Sequence, residues 1–364
     1  MKVLLSGGGT GGHINPGIAI ARYIKEKQPN TEFLFVGTHK GLEGELIPKA
    51  GFPITFIEVE GFRRKLSIQT LGTVKKMFRG YAQSKRILKE FQPDIVIGTG
   101  GYVCGPVLYA ACKKGYKTLV HEQNVIPGVT VKLLSRMVDG VLISFPETNQ
   151  YIKGHLILTG NPVSPDLLSC SREQARKKLG VDKRPLLLAY GGSLGARRIN
   201  ETVCEMIRLT APEGRYQLLF ATGQREYDRV MEALKGREYP NVQIKPYLYN
   251  MAECMAAADL VIARSGAMTV SELAAVGKPA ILIPSPNVAH NHQEFNARAL
   301  EQKGAAMVLT EDQLTVQRLY GYVSEFLNDK QKQKDMAEHS RIAGIRDATE
   351  TIYQTVLSLT AKQS

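Results

Sequence analysis

Residues 3–12 read Val3-Leu4-Leu5-Ser6-Gly7-Gly8-Gly9-Thr10-Gly11-Gly12, a short apolar run that enters a glycine-rich turn. The apolar residues that follow, Ile18, Ile20 and Ile24, recur at helical spacing. A buried strand, a tight turn and a helix in this order are typical of the start of a parallel α/β domain. The stretch therefore predicts that the chain opens with such a unit.

The second half of the chain repeats this pattern. Residues 186–190 form another apolar run, which enters a glycine turn at residues 191–195. Each half also contains an Asp-led apolar run before a loop of small residues, at 94–101 and at 259–266. The other short apolar runs that we interpret as strands lie at residues 33–36, 118–120, 218–220 and 280–283. Two Rossmann-like domains are predicted, with ligand-binding loops beyond the carboxyl ends of their strands and a site in the cleft between them.

Length and composition agree with two domains. The chain has 364 residues, of which 43% are hydrophobic and 22% are charged. At about 100–200 residues per domain, we expect an N-terminal domain at 1–162 and a C-terminal domain at 163–342. A final helix at about 343–364 is predicted to pack on one of them. The net charge of +13 favours an anionic partner, although charge alone does not say which one.

The sequence also indicates a compartment. The five cysteines are scattered without a CxxC pair, which disfavours a disulfide framework or a zinc ribbon. The apolar run at the N-terminus is too short for a signal peptide, and no run of about 18 apolar residues occurs. We expect a soluble, cytoplasmic protein, which leaves attachment to a membrane surface open.

The first glycine loop allows more than one interpretation. Gly7, Gly9 and Gly12 satisfy the GxGxxG pattern of dinucleotide-binding loops, but the acid expected at the end of the second strand is missing near Thr38. This omission disfavours NAD. The alternatives are a tight turn without a ligand, or a loop whose backbone NH groups face a phosphate or a sugar.

Further loops of small residues extend this pattern. They lie at 100–106, 191–197 and 265–269, and none contains the GK[ST] sequence of a nucleotide-hydrolysing loop. The loop at 265–269 follows a predicted strand and opens a helix, whose positive end suits a diphosphate without a metal. No Asp-x-Asp pair occurs, so a metal-chelating route lacks its usual ligands. We expect neither a metal nor a cofactor.

These motifs together resemble one known family. Residues 7–16, 100–106, 121–124, 160–163, 191–197 and 264–272 resemble, in order, motifs of the bacterial lipid-I N-acetylglucosaminyltransferases of peptidoglycan synthesis, the MurG family. The resemblance runs from about residue 3 to residue 350. It implies the GT-B fold, in which the C-terminal helix, here at about 343–364, crosses back to the N-terminal domain. It also implies transfer of GlcNAc from UDP-GlcNAc to undecaprenyl-diphosphoryl-MurNAc-pentapeptide (lipid I) with inversion. It also implies a peripheral protein on the cytoplasmic side of the bacterial membrane.

The resemblance and the loops suggest candidate site residues. His13 is the first candidate for the general base and Glu122 is its rival, while ordinary packing or solvation remains the alternative for His13. Contacts to UDP-GlcNAc are expected from Thr10, Gly11, Gly12, Asn124, Ser193, Leu248, Arg264, Ser265, Gly266, Ala267, Met268, Thr269, Glu272 and Gln293. The acceptor diphosphate is expected at Gly9, Gly100, Gly101 and Gly105.

Several of these candidates keep a second interpretation. Glu272 either accepts hydrogen bonds from a ribose diol or only stabilises the helix dipole. Leu248 either flanks the uracil or packs under the sheet. Ser164 and His292 depart from the family pattern, in which Arg and Gln are frequent, so no role is assigned to them.

A basic segment predicts membrane attachment. Residues 61–89 contain nine basic residues and no acid, and apolar residues recur within them at helical spacing. Docking on an anionic bilayer is expected through Arg63, Arg64, Lys65, Lys75, Lys76, Phe78 and Arg79. The alternative is a helix that packs its apolar stripe on the sheet.

Other functions remain alternatives to this one. They are a diacylglycerol glycosyltransferase, a UDP-GlcNAc 2-epimerase, and a non-catalytic module that binds a sugar nucleotide or a nucleic acid. No nucleic-acid-binding motif accompanies the positive charge, so no nucleic-acid partner is expected.

Overall fold

The computed structural model describes residues 1–60, 69–192 and 194–361, and the side chains of residues 69–75 lie outside this description. The chain forms two compact units. Unit 1 comprises residues 1–162 together with 347–364, and unit 2 comprises residues 163–346. The chain therefore passes from one unit to the other at Pro162–Val163 and at Arg346–Asp347.

Unit 1 is built on a parallel sheet of seven strands in the order β3-β2-β1-β4-β5-β6-β7. The strands are β1 Lys2–Gly7, β2 Glu32–Gly37, β3 Ile54–Phe56, β4 Ile95–Gly100, β5 Lys117–Glu122, β6 Gly140–Ile143 and β7 Leu156–Leu158. The central strands are buried on both faces, as expected for a parallel sheet covered by helices. The four strands predicted in this half are confirmed as β1, β2, β4 and β5.

Helices connect these strands and cover the sheet. They are α1 Gly11–Lys27, α2 Glu43–Lys49, α3 Gln69–Phe91, α4 Cys104–Lys113 and α5 Val129–Leu134, with a 3₁₀ turn at Pro146–Gln150. On one face of the sheet, Ile14, Ile20 and Ile24 of α1 pack against Leu5 and Ile97. The helical spacing of these isoleucines places them on one side of α1, and their burial fixes that helix on the sheet.

Unit 2 repeats the architecture with six parallel strands in the order β10-β9-β8-β11-β12-β13. The strands are β8 Leu186–Tyr190, β9 Gln217–Ala221, β10 Val242–Lys245, β11 Leu260–Ala263, β12 Ala280–Leu282 and β13 Ala306–Val308. The helices are α6 Pro165–Ser169, α7 Arg172–Lys178, α8 Arg197–Thr210, α9 Tyr227–Ala233, α10 Met251–Ala257, α11 Ala267–Ala275, α12 His292–Glu301, α13 Val316–Asn328 and α14 Lys330–Ala343. The strands predicted in the second half are confirmed as β8, β9, β11 and β12.

The C-terminal helix α15, Ala348–Thr360, packs on unit 1. Ile352 and Val356 are fully buried in the same core as Ile14 and Ile20. Tyr353 meets Tyr23 of α1 edge to face, with ring centroids 6.1 Å apart. The Tyr23 hydroxyl also donates a hydrogen bond to the carboxylate of Glu350. The end of the chain is thus part of the N-terminal sheet domain.

The two sheets place their loops in equivalent positions. In each unit the strand order reverses direction between the first and fourth strands, β1 and β4 in unit 1 and β8 and β11 in unit 2. Ligands of open α/β sheets bind at this switch point, beyond the carboxyl ends of the strands. The segments of small residues at 8–10, 101–103, 191–196 and 264–266 all begin there. In the part of the chain that is described, none of the helices is long and apolar enough to cross a bilayer.

Candidate functional site

The two glycine loops of unit 1 pack directly on each other. Gly101, after β4, has a φ of +81°, and a Cβ there would lie 2.4 Å from the carbonyl oxygen of Gly8. Only glycine combines this left-handed backbone with so close an approach. The loop after β1 and the loop after β4 therefore form one backbone surface at the switch point.

His13 lies on this surface at the start of α1. Its ring covers Gly100, where a Cβ would lie 2.8 Å from the ring carbon Cδ2. Its Nδ1 is 3.2 Å from the carbonyl oxygen of Gly8. A carbonyl can only accept a hydrogen bond, so Nδ1 carries the proton and Nε2 of the neutral ring is the basic nitrogen. The Thr99 hydroxyl donates to the backbone oxygen of His13 at 2.7 Å and fixes the first turn of α1.

A buried carboxylate that the sequence analysis missed anchors the first loop. Glu43, at the start of α2, is fully buried. Its Oε2 accepts a hydrogen bond from the Gly9 amide at 3.0 Å, and its Oε1 accepts from the amide and hydroxyl of Thr38 at 3.0 and 2.7 Å. Tyr102 from the second loop reaches the same hydroxyl, with 3.1 Å between the oxygens. Glu43 thus ties the glycine loop to the end of β2.

This carboxylate also changes how the missing acid is interpreted. In a dinucleotide site, the acid after the second strand holds a ribose hydroxyl. Here the acid stands six positions beyond Gly37 in the chain, and its oxygens accept from the protein itself. The sequence feature that could have indicated a buried Glu43 is Gly41, because an added Cβ there would lie 1.9 Å from the Glu43 carboxylate.

Glu122 ends β5 and is also buried, with 3% of its surface exposed. Its Oε1 accepts from the backbone amide of Asn124 at 2.9 Å and from the Asn124 side chain at 3.2 Å, and its Oε2 accepts from the Gly128 amide at 2.8 Å. Burial raises the pKa of Glu122, and these donors oppose that rise. The carboxylate therefore holds the loop between β5 and α5 in place.

A buried polar network supports these loops from below. Gln123 donates from its side-chain nitrogen to the Thr99 carbonyl at 2.9 Å, and the same nitrogen lies 2.9 Å from His121 Nδ1. His121 Nε2 is 3.0 Å from the Gly160 carbonyl, so Nε2 carries the proton and Nδ1 accepts from Gln123. Burial lowers the pKa of His121 to about 4, which keeps the ring neutral near pH 7. Asn161 completes the network by donating to the Gln123 carbonyl at 3.0 Å.

In unit 2, the loop after β8 is fixed by backbone contacts. Gly195 has a φ of +83°, and a Cβ there would lie 2.3 Å from the carbonyl oxygen of Thr222, just after β9. The Gly195 amide donates to the Gly192 carbonyl at 3.0 Å, which closes the turn. Ser193, one of the expected donor contacts, lies outside the described residues. The loop leads directly into α8.

The loop after β11 is held by side chains. Arg264 donates to the carbonyl oxygens of Ile283 and Pro284 at 3.2 and 3.1 Å and to Glu311 at 2.8 Å, so its guanidinium braces the loop after β12. The buried Ser265 hydroxyl donates to the backbone oxygen of Gln293 at 2.8 Å. The side-chain oxygen of Gln293 accepts from the Ser285 amide at 2.9 Å, which leaves its amide NH₂ as a donor. The structure thus brings Arg264, Ser265 and Gln293 together.

Gly266, Ala267, Met268 and Thr269 form the half-buried start of α11. Glu272 follows on the same helix, and burial raises its pKa to about 7. Among the described residues, neither a hydrogen bond nor an ion pair of this carboxylate is found. It therefore differs from Glu43 and Glu122, whose oxygens are occupied by protein donors.

Leu248 lies beyond the carboxyl end of β10. It is buried between β10 and α10, and β10 stands three positions from β11 in the strand order. Its neighbours Tyr247 and Tyr249 are exposed and meet each other with ring centroids 4.9 Å apart. The next helix, α10, packs on β8, the strand beside β11, and the contact of Leu248 with the donor stays a prediction.

The basic segment is only partly described. Arg63, Arg64 and Lys65, and the side chain of Lys75, lie outside the described residues. In α3, Phe78 is 66% exposed while Leu88 is buried against the sheet. Lys76 pairs with Glu60 at 2.6 Å, and Arg79 pairs with Glu58 at 3.2 Å. The acids absent from residues 61–89 are thus supplied by the chain just before them, and the free positive charge of α3 is smaller than its own sequence indicates.

Two parallel α/β units of the same strand order, with glycine loops at both switch points, define the class of two-domain α/β proteins that bind nucleotides or phosphates. Residues 3–143 match the glycosyltransferase family 28 N-terminal domain, and residues 186–352 match the glycosyltransferase family 28 C-terminal domain. The chain belongs to glycosyltransferase family 28 and has the GT-B fold.

Relatives and solved structures agree with this assignment. The chain is 52% identical to a UDP-N-acetylglucosamine–N-acetylmuramyl-(pentapeptide) pyrophosphoryl-undecaprenol N-acetylglucosamine transferase of Acetivibrio thermocellus, over 98% of this chain and 97% of the relative. It is 48% identical to the protein of the same name in Ruminiclostridium cellulolyticum, over 98% and 99%. The crystal structure of Acinetobacter baumannii MurG has a TM-score of 0.82 at 30% identity, over 98% and 99%.

More distant structures share only the fold. A UDP-GlcNAc 2-epimerase from Neisseria meningitidis, bound to UDP-GlcNAc, has a TM-score of 0.69 at 14% identity, over 98% of this chain and 100% of the epimerase. At this identity the likeness carries no activity over to the chain. The epimerase alternative therefore gains no support from this likeness.

Proposed function

We propose how this chain, a UDP-GlcNAc-dependent N-acetylglucosaminyltransferase that converts lipid I to lipid II, divides the reaction between its two units. The relatives named above carry this activity in their names, and they match the chain over nearly its full length. The division rests on the residues of each unit taken separately.

Unit 2 binds the donor UDP-GlcNAc in this proposal. The observation that carries it is Glu272, a carboxylate with a raised pKa and no partner among the described residues, on the helix that starts at the switch point. A ribose diol supplies two donors that such a carboxylate lacks. The backbone NH groups at the start of α11 stabilise the diphosphate, and the Gln293 amide donates to a sugar hydroxyl. Ser193, Leu248, Arg264 and Ser265 complete the candidate donor residues of this unit.

Unit 1 binds the lipid-linked acceptor. The candidates for its diphosphate are the two packed glycine loops at Gly9, Gly100 and Gly101, since backbone NH groups of such loops suit a diphosphate without a metal. The amide of Gly9 itself donates to Glu43, so the neighbouring amides of these loops are the donors in this proposal. Gly105 opens the helix that follows the second loop. Thr10, Gly11, Gly12 and Asn124 are the candidates by which unit 1 contacts the donor sugar.

His13 is the general base of the proposal. Its protonated Nδ1 is committed to the Gly8 carbonyl, so Nε2 accepts the proton from the attacking hydroxyl of the acceptor. The new bond forms between this oxygen and the anomeric carbon as the bond from that carbon to UDP breaks, with inversion. The negative charge leaves with UDP. Glu122 is the weaker candidate, because three protein donors already occupy its carboxylate.

The acceptor's lipid chain places the reaction at a membrane. We propose that α3 docks reversibly on the anionic cytoplasmic face of the bacterial membrane through Lys76, Phe78 and Arg79. The exposed Phe78 supports shallow insertion, and the basic residues add electrostatic attraction. Arg63, Arg64, Lys65 and Lys75 belong to the same candidate surface by sequence.

One assay tests the proposed function. The protein is incubated with radiolabelled UDP-GlcNAc, with and without lipid I in anionic vesicles, and the products are separated. The expected result is label in the lipid fraction only when lipid I is present. Label in a free GlcNAc epimer would support an epimerase, and label transferred to diacylglycerol would support the other glycosyltransferase alternative. A second incubation with excess EDTA is expected to give the same transfer.

A further inference from the structure

A site rich in positive charge lies in unit 2, away from the loops described above. A cavity of about 190 Å³ opens between α6, the end of α11, and α14. Its lining includes the cations Arg172, Lys278, Arg341 and Arg346, and none of its lining residues is acidic. We call it the cationic cavity. Cys170 also lines it.

The cationic cavity lies at the amino ends of the strands, whereas the donor loops lie at their carboxyl ends. Lys278 comes just before β12, and its neighbour Ala258 comes just before β11, so both lie at the amino ends of these strands. The start of α11 follows the carboxyl end of β11. Because the strands are parallel, the cavity and the start of α11 are separated by the length of a strand. A ligand in the cavity is therefore distinct from the donor.

The positive charges around the cavity exceed the nearby negative charges. Asp259 accepts from both Arg172 and Arg176, at 2.7 and 3.2 Å, so one carboxylate serves two guanidinium groups. Lys278 donates to the carbonyl oxygens of Ala256 and Ala258 at 2.8 and 2.9 Å. Burial lowers the pKa of Lys278 to about 8, which agrees with an ammonium group that is incompletely compensated.

Three of the cations around the cavity stabilise the end of a helix, but Arg341 and Arg346 have no such role. Arg172, Arg176 and Lys278 bind the carbonyl oxygens at the end of α10, which is an ordinary way to stabilise a helix C-terminus. Arg341 and Arg346 approach from α14 and from the residues after it. Arg341 pairs with Glu338 one turn earlier, and the hydrogen bond found for Arg346 among the described residues is a long one to the Leu168 carbonyl, at 3.5 Å.

We propose that the cationic cavity binds a diphosphate, either inorganic pyrophosphate or the diphosphate group of a nucleotide. Guanidinium groups recognise phosphate oxygens in bidentate geometry, and two arginines beside a half-buried lysine match the charge of a diphosphate. The cavity is lined by residues close to both chain crossings, Leu167 after Val163 and Arg346 before Asp347. The occupied cavity adds charge-assisted contacts between these two segments.

Cys170 provides a local readout. It is partly exposed, as is Cys112 of unit 1, whereas Cys104, Cys204 and Cys254 are buried. The rate at which iodoacetamide alkylates Cys170, measured by peptide mass spectrometry, reports on the cavity. The rate at Cys112 in the same sample is the internal reference. Potassium chloride of equal ionic strength replaces the probe in control samples.

The experiment compares the parent protein with an R341Q/R346Q variant, which removes the two lining arginines that do not bind the end of α10. With the probe at ten times its Kd, alkylation of Cys170 in the parent is expected to slow about tenfold, because the unoccupied fraction falls as 1/(1 + [L]/Kd). Protection is expected to be lost in R341Q/R346Q. A K235Q/R237Q variant removes two exposed charges elsewhere in unit 2 and is expected to keep it.

Two probes are used, inorganic pyrophosphate and UDP. Protection by both shows that the cavity takes a nucleotide's diphosphate, and protection by pyrophosphate alone shows that it takes the inorganic ion; either result supports the proposal. Equal protection of Cys170 in R341Q/R346Q and in the parent would overturn the proposal. The proposal would also be overturned if neither probe protected Cys170 in the parent. Binding of UDP to the donor loops leaves Cys170 unprotected, so a failure here is distinguishable from a failure of the proposed function.

Discussion

The two units share one strand order but fix their ligand loops by different means. In unit 1, buried polar groups hold the loops: Glu43 binds the first loop, and Glu122 binds the loop after β5. His121 accepts from Gln123, whose side chain also donates to the Thr99 carbonyl. In unit 2, close backbone packing at Gly195 fixes the loop after β8, and the guanidinium of Arg264 and the hydroxyl of Ser265, rather than a carboxylate, hold the loop after β11. A common topology therefore does not imply a common way of positioning the site.

The two units also differ in which side chains are left to bind a ligand or move a proton. Among the described residues of unit 1, two carboxylates are buried, Glu43 and Glu122, and both are engaged by protein donors, so His13 Nε2 is the candidate base of its loops. Unit 2 contains Glu272, which has no partner among the described residues. A carboxylate with satisfied lone pairs stabilises the protein, whereas one without partners is suited to bind a ligand. Four predictions test this comparison.

The largest expected effect concerns His13. His13→Ala is expected to lower the turnover of lipid I by about 10²–10⁴-fold, which is the usual contribution of a general base. The affinity for UDP, measured by calorimetry, is expected to stay the same, because the proposed UDP contacts belong to unit 2. Turnover is measured with radiolabelled UDP-GlcNAc at saturating acceptor.

A matched control is available on the same sheet. His155 also has Nδ1 close to a backbone carbonyl, that of Asp139 at 3.0 Å, but it lies outside the glycine loops. His155→Ala is expected to retain full turnover. Near-parent turnover of His13→Ala would contradict the assignment, and a large loss in Glu122→Gln would then move the role of base to Glu122.

The next effect is on stability. In Glu43→Gln, an NH₂ group replaces one of the oxygens that accept from Gly9 and Thr38, so a donor faces a donor in a buried position. The expected cost is about 1–3 kcal/mol in the free energy of unfolding, measured by urea titration. Glu45→Gln on the same helix removes only the exposed pair with Lys49 and is expected to cost less than about 0.5 kcal/mol. Equal stability of the two variants would show that Glu43 does not anchor the loop.

The sequence predicted the middle of each sheet better than its edges. The predicted strands are continuous apolar runs, and burial on both faces produces such runs. Five strands were missed: the four edge strands β3, β7, β10 and β13, and β6 beside an edge, which is a short buried apolar run. Of these, β3 and β10 contain Ile54-Thr55-Phe56 and Val242-Gln243-Ile244-Lys245, which are only partly buried. Their positions depend on pairing with β2 and β9, which no local pattern reveals.

The candidate site was predictable to a similar extent. The glycine loops were found because a left-handed backbone and close approach require glycine, and that requirement is visible in the sequence. Glu43 was missed because it binds Gly9, which is 34 positions away in the chain. The partners of Lys76 and Arg79 were missed because Glu60 and Glu58 lie outside the segment whose charges were counted. Contacts between distant positions require the fold itself.

The third effect concerns Glu272 and its pH dependence. Its pKa of about 7 means that the carboxylate is mostly ionised at pH 8 and mostly protonated at pH 6. Only the ionised form accepts hydrogen bonds at both oxygens, so UDP affinity is expected to fall as pH decreases through 7. Glu272→Gln is expected to weaken UDP binding at pH 8 by about tenfold, or roughly 1.5 kcal/mol.

The pH profile of the variant separates this carboxylate from the ligand. Protonation of the UDP phosphate affects the parent and Glu272→Gln alike, so the difference between their calorimetric profiles reports on Glu272 alone. We expect the two affinities to converge at pH 6. Parallel profiles, offset by a constant amount, would contradict the role of an ionised Glu272 in binding.

The smallest expected effect concerns the surface of α3. Each basic residue near an anionic bilayer contributes about 1 kcal/mol, so Lys76→Gln is expected to weaken binding to anionic vesicles by at most about fivefold at low salt. The loss is limited because Lys76 already pairs with Glu60. Lys49 of α2 is its matched control, since it too pairs with a single glutamate, Glu45 at 2.6 Å. If docking uses α3, Lys49→Gln leaves cosedimentation unchanged, and Lys76→Gln lowers it in a way that added salt diminishes. Equal losses in both variants would show instead that the vesicles respond to the net charge of +13, and that α3 is not the docking surface.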